Sequence, residues 1–218
     1  MDSDATQDAS ETSGPESWIR LLFPAMVAGR VFGAAISPLL FAHFPLGLIL
    51  LSPFLIHLVA VAPLVDGTLY FGVALVVTSC QALIGFWFGH LLGTKALVWL
   101  LERVPIPPSW MEAGLNLVRK ASVVALLGVP GPVMGTVAGV AGVKPKLFHL
   151  LVVPAQAMWV AAAYWVGDAL LEWIEIARGF VIEHAFQLTA LTAGIMVLRL
   201  GYAFWMKRRA RRAAREIT

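Results

Sequence analysis

Long apolar segments separated by short polar islands follow one another from Trp18 onward. Two of these segments, residues 69–92 and 147–167, are uniform enough to predict membrane-spanning helices, because about 20 consecutive apolar residues cross the hydrocarbon core. A third predicted span, residues 187–206, leads into a basic C-terminal segment. The first span is expected to begin near Arg30, since an arginine at the bilayer centre is costly. The pattern therefore predicts an all-α integral membrane protein.

Two further apolar segments are interrupted by proline and glycine. The first covers about residues 44–65, and the second covers residues 121–143 with the core VPGPVMGTVAGVAG. Proline and glycine weaken helical hydrogen bonding, and broken backbone at membrane depth is tolerated only where protein or a wet cavity covers it. We therefore predict that both segments are re-entrant hairpins. The alternative is a chain of about six or seven ordinary spans with proline kinks.

The charges along the chain predict its orientation. Residues 207–218 carry six basic side chains, whereas the island 168–183 carries four acidic side chains and one basic one. Basic loops stay in the cytoplasm, so both termini are expected inside and the acidic island outside. Each hairpin then precedes a long span, and together they form one unit. The two units enter the membrane from opposite sides. This is the inverted-repeat plan of many transporters, here with additional flanking transmembrane helices.

Composition agrees with a membrane location, since 59% of the residues are hydrophobic and 13% are charged. A soluble domain has about 25% charged residues. Residues 18–206 are predicted to form one polytopic membrane domain in the cytoplasmic membrane of a bacterium. The polar, acidic residues 1–17 are predicted to be a disordered cytoplasmic tail. The basic residues 207–218 are predicted to be a second cytoplasmic tail that contacts anionic headgroups, and no nucleic-acid partner is expected.

The segments at residues 85–93, 138–148 and 159–167 together resemble the DedA family, the bacterial branch of the VTT or SNARE-associated membrane proteins. Residues 85–93, GFWFGHLLG, resemble an aromatic-glycine signature at the end of the family's first long span. Residues 138–148, AGVAGVKPKLF, resemble its Ala-Gly turn and basic-proline step, and residues 159–167 resemble the span that follows. The resemblance covers about residues 45–170. It implies paired re-entrant hairpins and translocation of phospholipids or a lipid carrier, often linked to the proton gradient.

The chain departs from the family at its functional charges. Residues 52–57, SPFLIH, contain no carboxylate where the family carries one. Residues 81–84, QALI, also lack the expected acid, and nothing basic lies between Lys120 and Lys144. Two functions therefore stay open: a lipid or lipid-carrier translocator, or a non-transporting scaffold or assembly factor that keeps the fold. If transport occurs, broken backbone rather than fixed charge is expected to define a groove for neutral or zwitterionic headgroups.

The candidate translocation residues either interrupt the hairpins or titrate within them. His57 either couples to protons or is a neutral imidazole that bonds a carbonyl freed by a nearby proline. The second hairpin either receives a headgroup at a broken helix end or uses its glycines for close packing. Asp66 is read first as a helix N-cap and alternatively as a gating residue. The full set is Pro53, His57, Pro130, Gly131, Pro132, Gly135 and Gly139, with Asp66 at the interface.

Other chemistry has little support in the sequence. There is no nucleophile elbow, no phosphate-binding loop ending in Lys-Ser or Lys-Thr, and no pair of histidines at a metal-ligand spacing. We therefore expect neither an enzyme nor a metal or other cofactor. Membrane lipids are the expected partners.

The predicted orientation can be tested by cysteine labelling after the native Cys80 is replaced by serine. A membrane-impermeant thiol reagent added from outside should label a cysteine at position 175 and miss one at position 112, because only the acidic island is placed outside. Permeabilised cells, in which both positions should react, provide the control. Strong outside labelling at position 112 would contradict the re-entrant second hairpin, since residues 121–143 would then have to span.

Overall fold

The computed structural model describes residues 15–103, 108–129 and 131–216, and within these ranges the chain is helical without any strand. Most of the predicted acidic tail and Pro130 lie outside the described residues, as do the side chains of the basic tail. The helices are α1 (Pro15–Ala35), α2 (Ser37–His43), α3 (Pro45–Leu51), α4 (Leu55–Val61, extended by one 3-10 turn, Ala62–Leu64), α5 (Gly67–Leu92), α6 (Thr94–Arg103), α7 (Pro108–Gly128), α8 (Pro132–Val140), α9 (Pro145–Ala169), α10 (Leu171–Glu183) and α11 (Ala185–Glu216).

Three helices are long and apolar enough to cross a membrane: Ser17–Ala35 within α1, and the whole of α5 and α9. Helices α10 and α11 meet at a bend of 89°, and residues Leu171–Glu183 with Ala185–Arg199 make a fourth candidate if the bent pair is one span. The acidic island is thus largely helix α10, and α11 continues from the predicted last span into the basic segment. The described residues have the all-helical, membrane-compatible composition that the apolar pattern predicts.

The first candidate span differs from the prediction, because Arg30 lies inside it rather than at its start. The arginine is partly buried, and its guanidinium carbon lies 4.6 Å from the ring centroid of Phe54. A cation over an aromatic face is stabilised by the ring quadrupole, which offsets part of the cost of removing it from water. Tertiary contacts therefore accommodate a charge that the sequence alone places at an edge.

Both proline- and glycine-rich segments are broken helices. Residues 52–54 separate α3 from α4, and α7 ends at Gly128 before α8 begins with Pro132 in its first turn. Gly131, the N-cap of α8, has φ +152°, which a residue with a side chain rarely adopts. Helix α7 also kinks at Ala121 (φ −147°, ψ 59°), the residue at which the second hairpin is predicted to begin.

Helices α5 and α8 meet backbone to backbone through two glycine pairs spaced four residues apart. A Cβ atom added at Gly85 or Gly89 of α5 would overlap the carbonyl oxygen of Pro132 or Thr136 of α8. A Cβ atom added at Gly135 or Gly139 of α8 would overlap the carbonyl oxygen of Ala82 or Phe86 of α5 in return. Reciprocal small-xxx-small surfaces of this kind allow the closest helix packing available in a membrane.

Helix α9 packs against α4 in a corresponding way. A Cβ atom at Gly167 would overlap the carbonyl oxygen of Val59 and lie 2.8 Å from the Cβ of Ala62. Each long helix therefore packs against the short helix that follows the other interruption: α5 against α8, and α9 against α4.

Two buried apolar clusters occupy the two ends of these long helices. One contains Tyr70 and Ala74 of α5 with Val160 of α9, and the other contains Phe86 of α5 and Phe148 of α9, whose rings stack 4.2 Å apart. Between the clusters, near the middle of both helices, the buried side chains are polar: Thr78, Ser79 and Gln81 on α5, and Gln156 on α9.

Helices α10 and α11 are tied to the ends of the first two helices by side-chain donors. The Thr192 hydroxyl donates to the carbonyl oxygen of Ala35, the last residue of α1, at 2.7 Å. The Arg178 guanidinium donates to the carbonyl oxygen of Ala42 near the end of α2 at 3.4 Å. Both acceptors belong to the last turn of a helix, where carbonyl groups lack intrahelical partners.

We expect Gly89→Ala to destabilise the protein by more than about 2 kcal/mol, because the added methyl group meets the backbone of α8 and not a movable side chain. Gly72→Ala on the same helix is the matched control, since nothing lies within 4 Å of its added Cβ atom. Chemical unfolding in detergent measures both variants. Equal stability of the two variants would contradict the proposed backbone contact.

Candidate functional site

A cavity of about 350 Å³ lies between the two interruptions of the chain. Pro53 and Phe54 come from the first interruption, and Val129 and Gly131 come from the second. Phe54 and Val129 are also exposed on the outside of the helix bundle, so the cavity opens beside them. The complete lining is Arg30, Pro53, Phe54, Leu55, Leu58, Thr78, Gln81, Gly128, Val129, Gly131, Pro132, Gln156 and Trp159.

The cavity contains one fixed charge, the guanidinium of Arg30, among its described lining residues. Its Nε atom is buried and has no hydrogen-bond partner in the part of the chain that the structure describes. Helix α8 begins at the same cavity with Gly131 and Pro132, and no side chain caps its first described N–H groups. The arginine and this positive helix end both favour a negatively charged group in the cavity.

Two glutamines bring unpaired amide atoms to the cavity wall. Gln81 is 7% exposed and Gln156 is 4% exposed. Neither Gln81 Oε1 nor Gln156 Nε2 has a hydrogen-bond partner among the described residues. Buried polar atoms are nearly always paired, so each unpaired one requires an explanation.

The other polar groups of the wall already have partners. The Thr78 hydroxyl donates to the carbonyl oxygen of Ala74 at 2.7 Å within its own helix. Trp159 Nε1 donates to the carbonyl oxygen of Leu127 at 2.9 Å, near the end of α7. The tryptophan thus satisfies a carbonyl that the second interruption leaves without a helical donor.

The structure brings three of the residues predicted from the sequence into this cavity: Pro53, Gly131 and Pro132. Pro130 lies outside the described residues. His57 does not line the cavity; its Nδ1 donates to the carbonyl oxygen of Ser52 at 2.5 Å, which matches the structural interpretation of this histidine. The Asp66 carboxylate accepts from the N–H groups of Thr68 and Leu69 at 3.0 and 3.2 Å, so it is an N-cap.

Gly135 and Gly139 are candidates that the structure places elsewhere. Both lie in the interface between α8 and α5 rather than on the wall of the 350 Å³ cavity. These glycines were predicted either to receive a headgroup or to allow close packing. Their contacts with the backbone of α5 are those of close packing.

The sequence does not single out the other ten lining residues, and among these Arg30, Gln81 and Gln156 bring unpaired polar atoms to the cavity. The available signal was polarity at membrane depth, because a charged or amide side chain in the middle of an apolar span is a functional candidate by default. The prediction from the sequence instead assigns Arg30 to the edge of a span.

Comparison with protein-family models, with curated proteins and with solved structures finds no match to this chain. The described lining of the cavity combines one cation, a helix N-terminus and the unpaired Gln156 amide donor, which all favour an anionic oxygen. The unpaired Gln81 oxygen is a hydrogen-bond acceptor on the same wall.

We expect Trp159→Phe to destabilise the protein by about 1–2 kcal/mol, because it keeps an aromatic ring but leaves the Leu127 carbonyl without its donor. Trp165→Phe on the same helix is the control, since that side chain is 74% exposed. Chemical unfolding in detergent compares the two. A loss of equal size in Trp165→Phe would show that the ring and not the hydrogen bond is responsible.

Proposed function

We propose that this protein is a membrane translocator of DedA type, which moves phosphate-bearing lipid headgroups across the bilayer through the cavity between its two interrupted segments. In this proposal both segments are re-entrant and belong to an inverted repeat. The observation that carries the proposal is the cavity itself, because both interruptions, the cation Arg30 and two unpaired glutamines converge on one space.

A constant spacing between the two halves supports the repeat. The first residues of α5 and α9 are 78 residues apart (67 to 145), and the same offset relates the lining residues Pro53 to Gly131 and Thr78 to Gln156. It also relates Gly89, which packs on α8, to Gly167, which packs on α4. Corresponding positions therefore have corresponding contacts.

Opposite charges at corresponding positions support the inverted sense. Asp66 caps the start of α5, and Lys144 stands at the same place before α9, again with an offset of 78 residues (66 to 144). Lysine favours the cytoplasmic side of a span. The two long helices would then begin on opposite sides of the membrane.

The depth of the cavity suits headgroup passage. Helices α5 and α9 contain 26 and 25 residues, so each is about 38 Å long and can cross a bilayer. Gln81 and Gln156 lie near the midpoints of these helices, so in the proposed arrangement the polar layer would lie near the bilayer centre. A volume of about 350 Å³ accommodates a polar headgroup. The acyl chains would remain outside, beside the exposed Phe54 and Val129.

Arg30 changes the substrate expected for such a groove. The two hairpins alone offer backbone without fixed charge, which favours neutral headgroups. Arg30 comes from α1, outside both hairpins, and adds a cation next to the N-terminus of α8. A phosphate oxygen is the group that both features stabilise.

The proposal is tested by reconstituting the full chain in phosphatidylcholine–phosphatidylglycerol vesicles and following the transbilayer movement of acyl-labelled lipids. Labelled phospholipids should cross faster than in protein-free vesicles, whereas a neutral glycosyl lipid should gain little. Arg30→Gln should slow phospholipid movement by about tenfold or more, because a hydrogen bond to a charged group contributes a free energy that corresponds to a factor of this size.

Arg20→Gln is the matched control, because Arg20 is an exposed arginine on the same helix that does not line the cavity. It should transport like the parent protein. No acceleration of any lipid by the parent protein would contradict translocation and favour a scaffold or assembly factor. Equal rates for Arg30→Gln and the parent would remove the cation from the mechanism.

A further inference from the structure

We propose that Gln81 selects headgroups that carry a hydrogen-bond donor next to the phosphate, such as phosphoethanolamine or phosphoglycerol, and disfavours phosphocholine. The inference rests on the proposed translocation function and concerns the specificity of the same cavity. It follows from the hydrogen-bond donors and acceptors on the cavity wall.

The donors of the wall are sufficient for a phosphate. Arg30 Nε and Gln156 Nε2 are buried donors without a partner among the described residues, and both side chains line the cavity. Guanidinium and amide N–H groups are the donors that phosphate oxygens accept. A phosphate bound between these two side chains satisfies both atoms.

Gln81 Oε1 has the opposite requirement, because an amide oxygen can only accept. Two nearby protein donors are committed within the protein: the Thr78 hydroxyl bonds the carbonyl of Ala74, and the Trp159 N–H bonds the carbonyl of Leu127. Arg30 and Gln156 can donate, but a bound phosphate competes for both as the stronger acceptor. The donor for Gln81 must therefore come from the substrate.

This requirement separates common headgroups by chemistry. The ammonium of ethanolamine and the hydroxyls of glycerol are donors, whereas the trimethylammonium of choline has no N–H or O–H group. A site with a buried acceptor rejects an analogue that cannot donate, because the acceptor is left unpaired.

The experiment measures transbilayer movement of phosphatidylethanolamine, its N-methyl and N,N-dimethyl derivatives and phosphatidylcholine, each as an acyl-labelled tracer in vesicles of one composition. This series keeps the headgroup charge while the number of N–H donors falls to zero. We expect the first three lipids to move about two- to tenfold faster than phosphatidylcholine, with the step at the last methyl group.

Variants identify the residue responsible. Gln81→Leu should reduce the ratio of phosphatidylethanolamine to phosphatidylcholine rates to about one, because leucine leaves no buried acceptor that distinguishes the two headgroups. Gln156→Leu should slow all four lipids alike, because the phosphate is common to them. Thr78→Val is the control and should keep the parent ratio, since its hydroxyl is bonded within its own helix. Gln81→Leu removes an unpaired buried atom, so it should unfold no more easily than the parent.

The outcomes distinguish this inference from the function on which it rests. Equal acceleration of all four lipids by the parent protein would overturn the selectivity and leave translocation standing. If Gln81→Leu moves all four lipids more slowly than the parent protein and by the same factor, the side chain shapes the cavity and does not discriminate between headgroups. No acceleration of any lipid would remove translocation and the selectivity together.

Discussion

The contact between the backbones of α5 and α8 is the constraint on which the rest of the structure depends. In hydrocarbon, apolar side chains gain little from leaving their surroundings, so helices associate through close packing and hydrogen bonds. The glycines at 85, 89, 135 and 139 make that packing possible and hold α8 against the C-terminal half of α5. Gly167 does the same for α4 against α9. The cavity lies between the two helix starts that these contacts position.

Local features of the sequence predicted most of the long elements. The apolar runs 69–92 and 147–167 correspond to α5 and α9 within two residues at each end, because composition alone decides whether a helix is long and apolar enough. The chain breaks next to Pro53 and Gly131 were predictable for a similar reason, since backbone chemistry acts at the residue itself. The kink at Ala121 coincides with a predicted boundary, although alanine is a strong helix former and gives no local reason for it.

The cavity was less predictable, because whether a residue lines it depends on which side of its helix faces the neighbouring helices. Pro53, Gly131 and Pro132 interrupt helices and therefore stand out in the sequence. The sequence also marks Gln81 and Gln156 as polar, but it does not indicate that both side chains face one space. Arg30 reaches the first interruption from a different helix, a contact that no spacing in the sequence indicates. Conversely, the sequence does not indicate that Gly135 lies against the backbone of α5.

The two hydrogen bonds from α10 and α11 give the C-terminal third of the chain an indirect role. Thr192 holds the last residue of α1, only five residues beyond Arg30, and Arg178 holds the end of α2. No described residue of α10 or α11 lines the cavity, yet α11 bonds the helix that carries the cation of the cavity, and α10 bonds the helix that follows it. Sensitivity to mutation should therefore extend beyond the cavity wall, because Thr192 fixes the end of the helix on which Arg30 is carried.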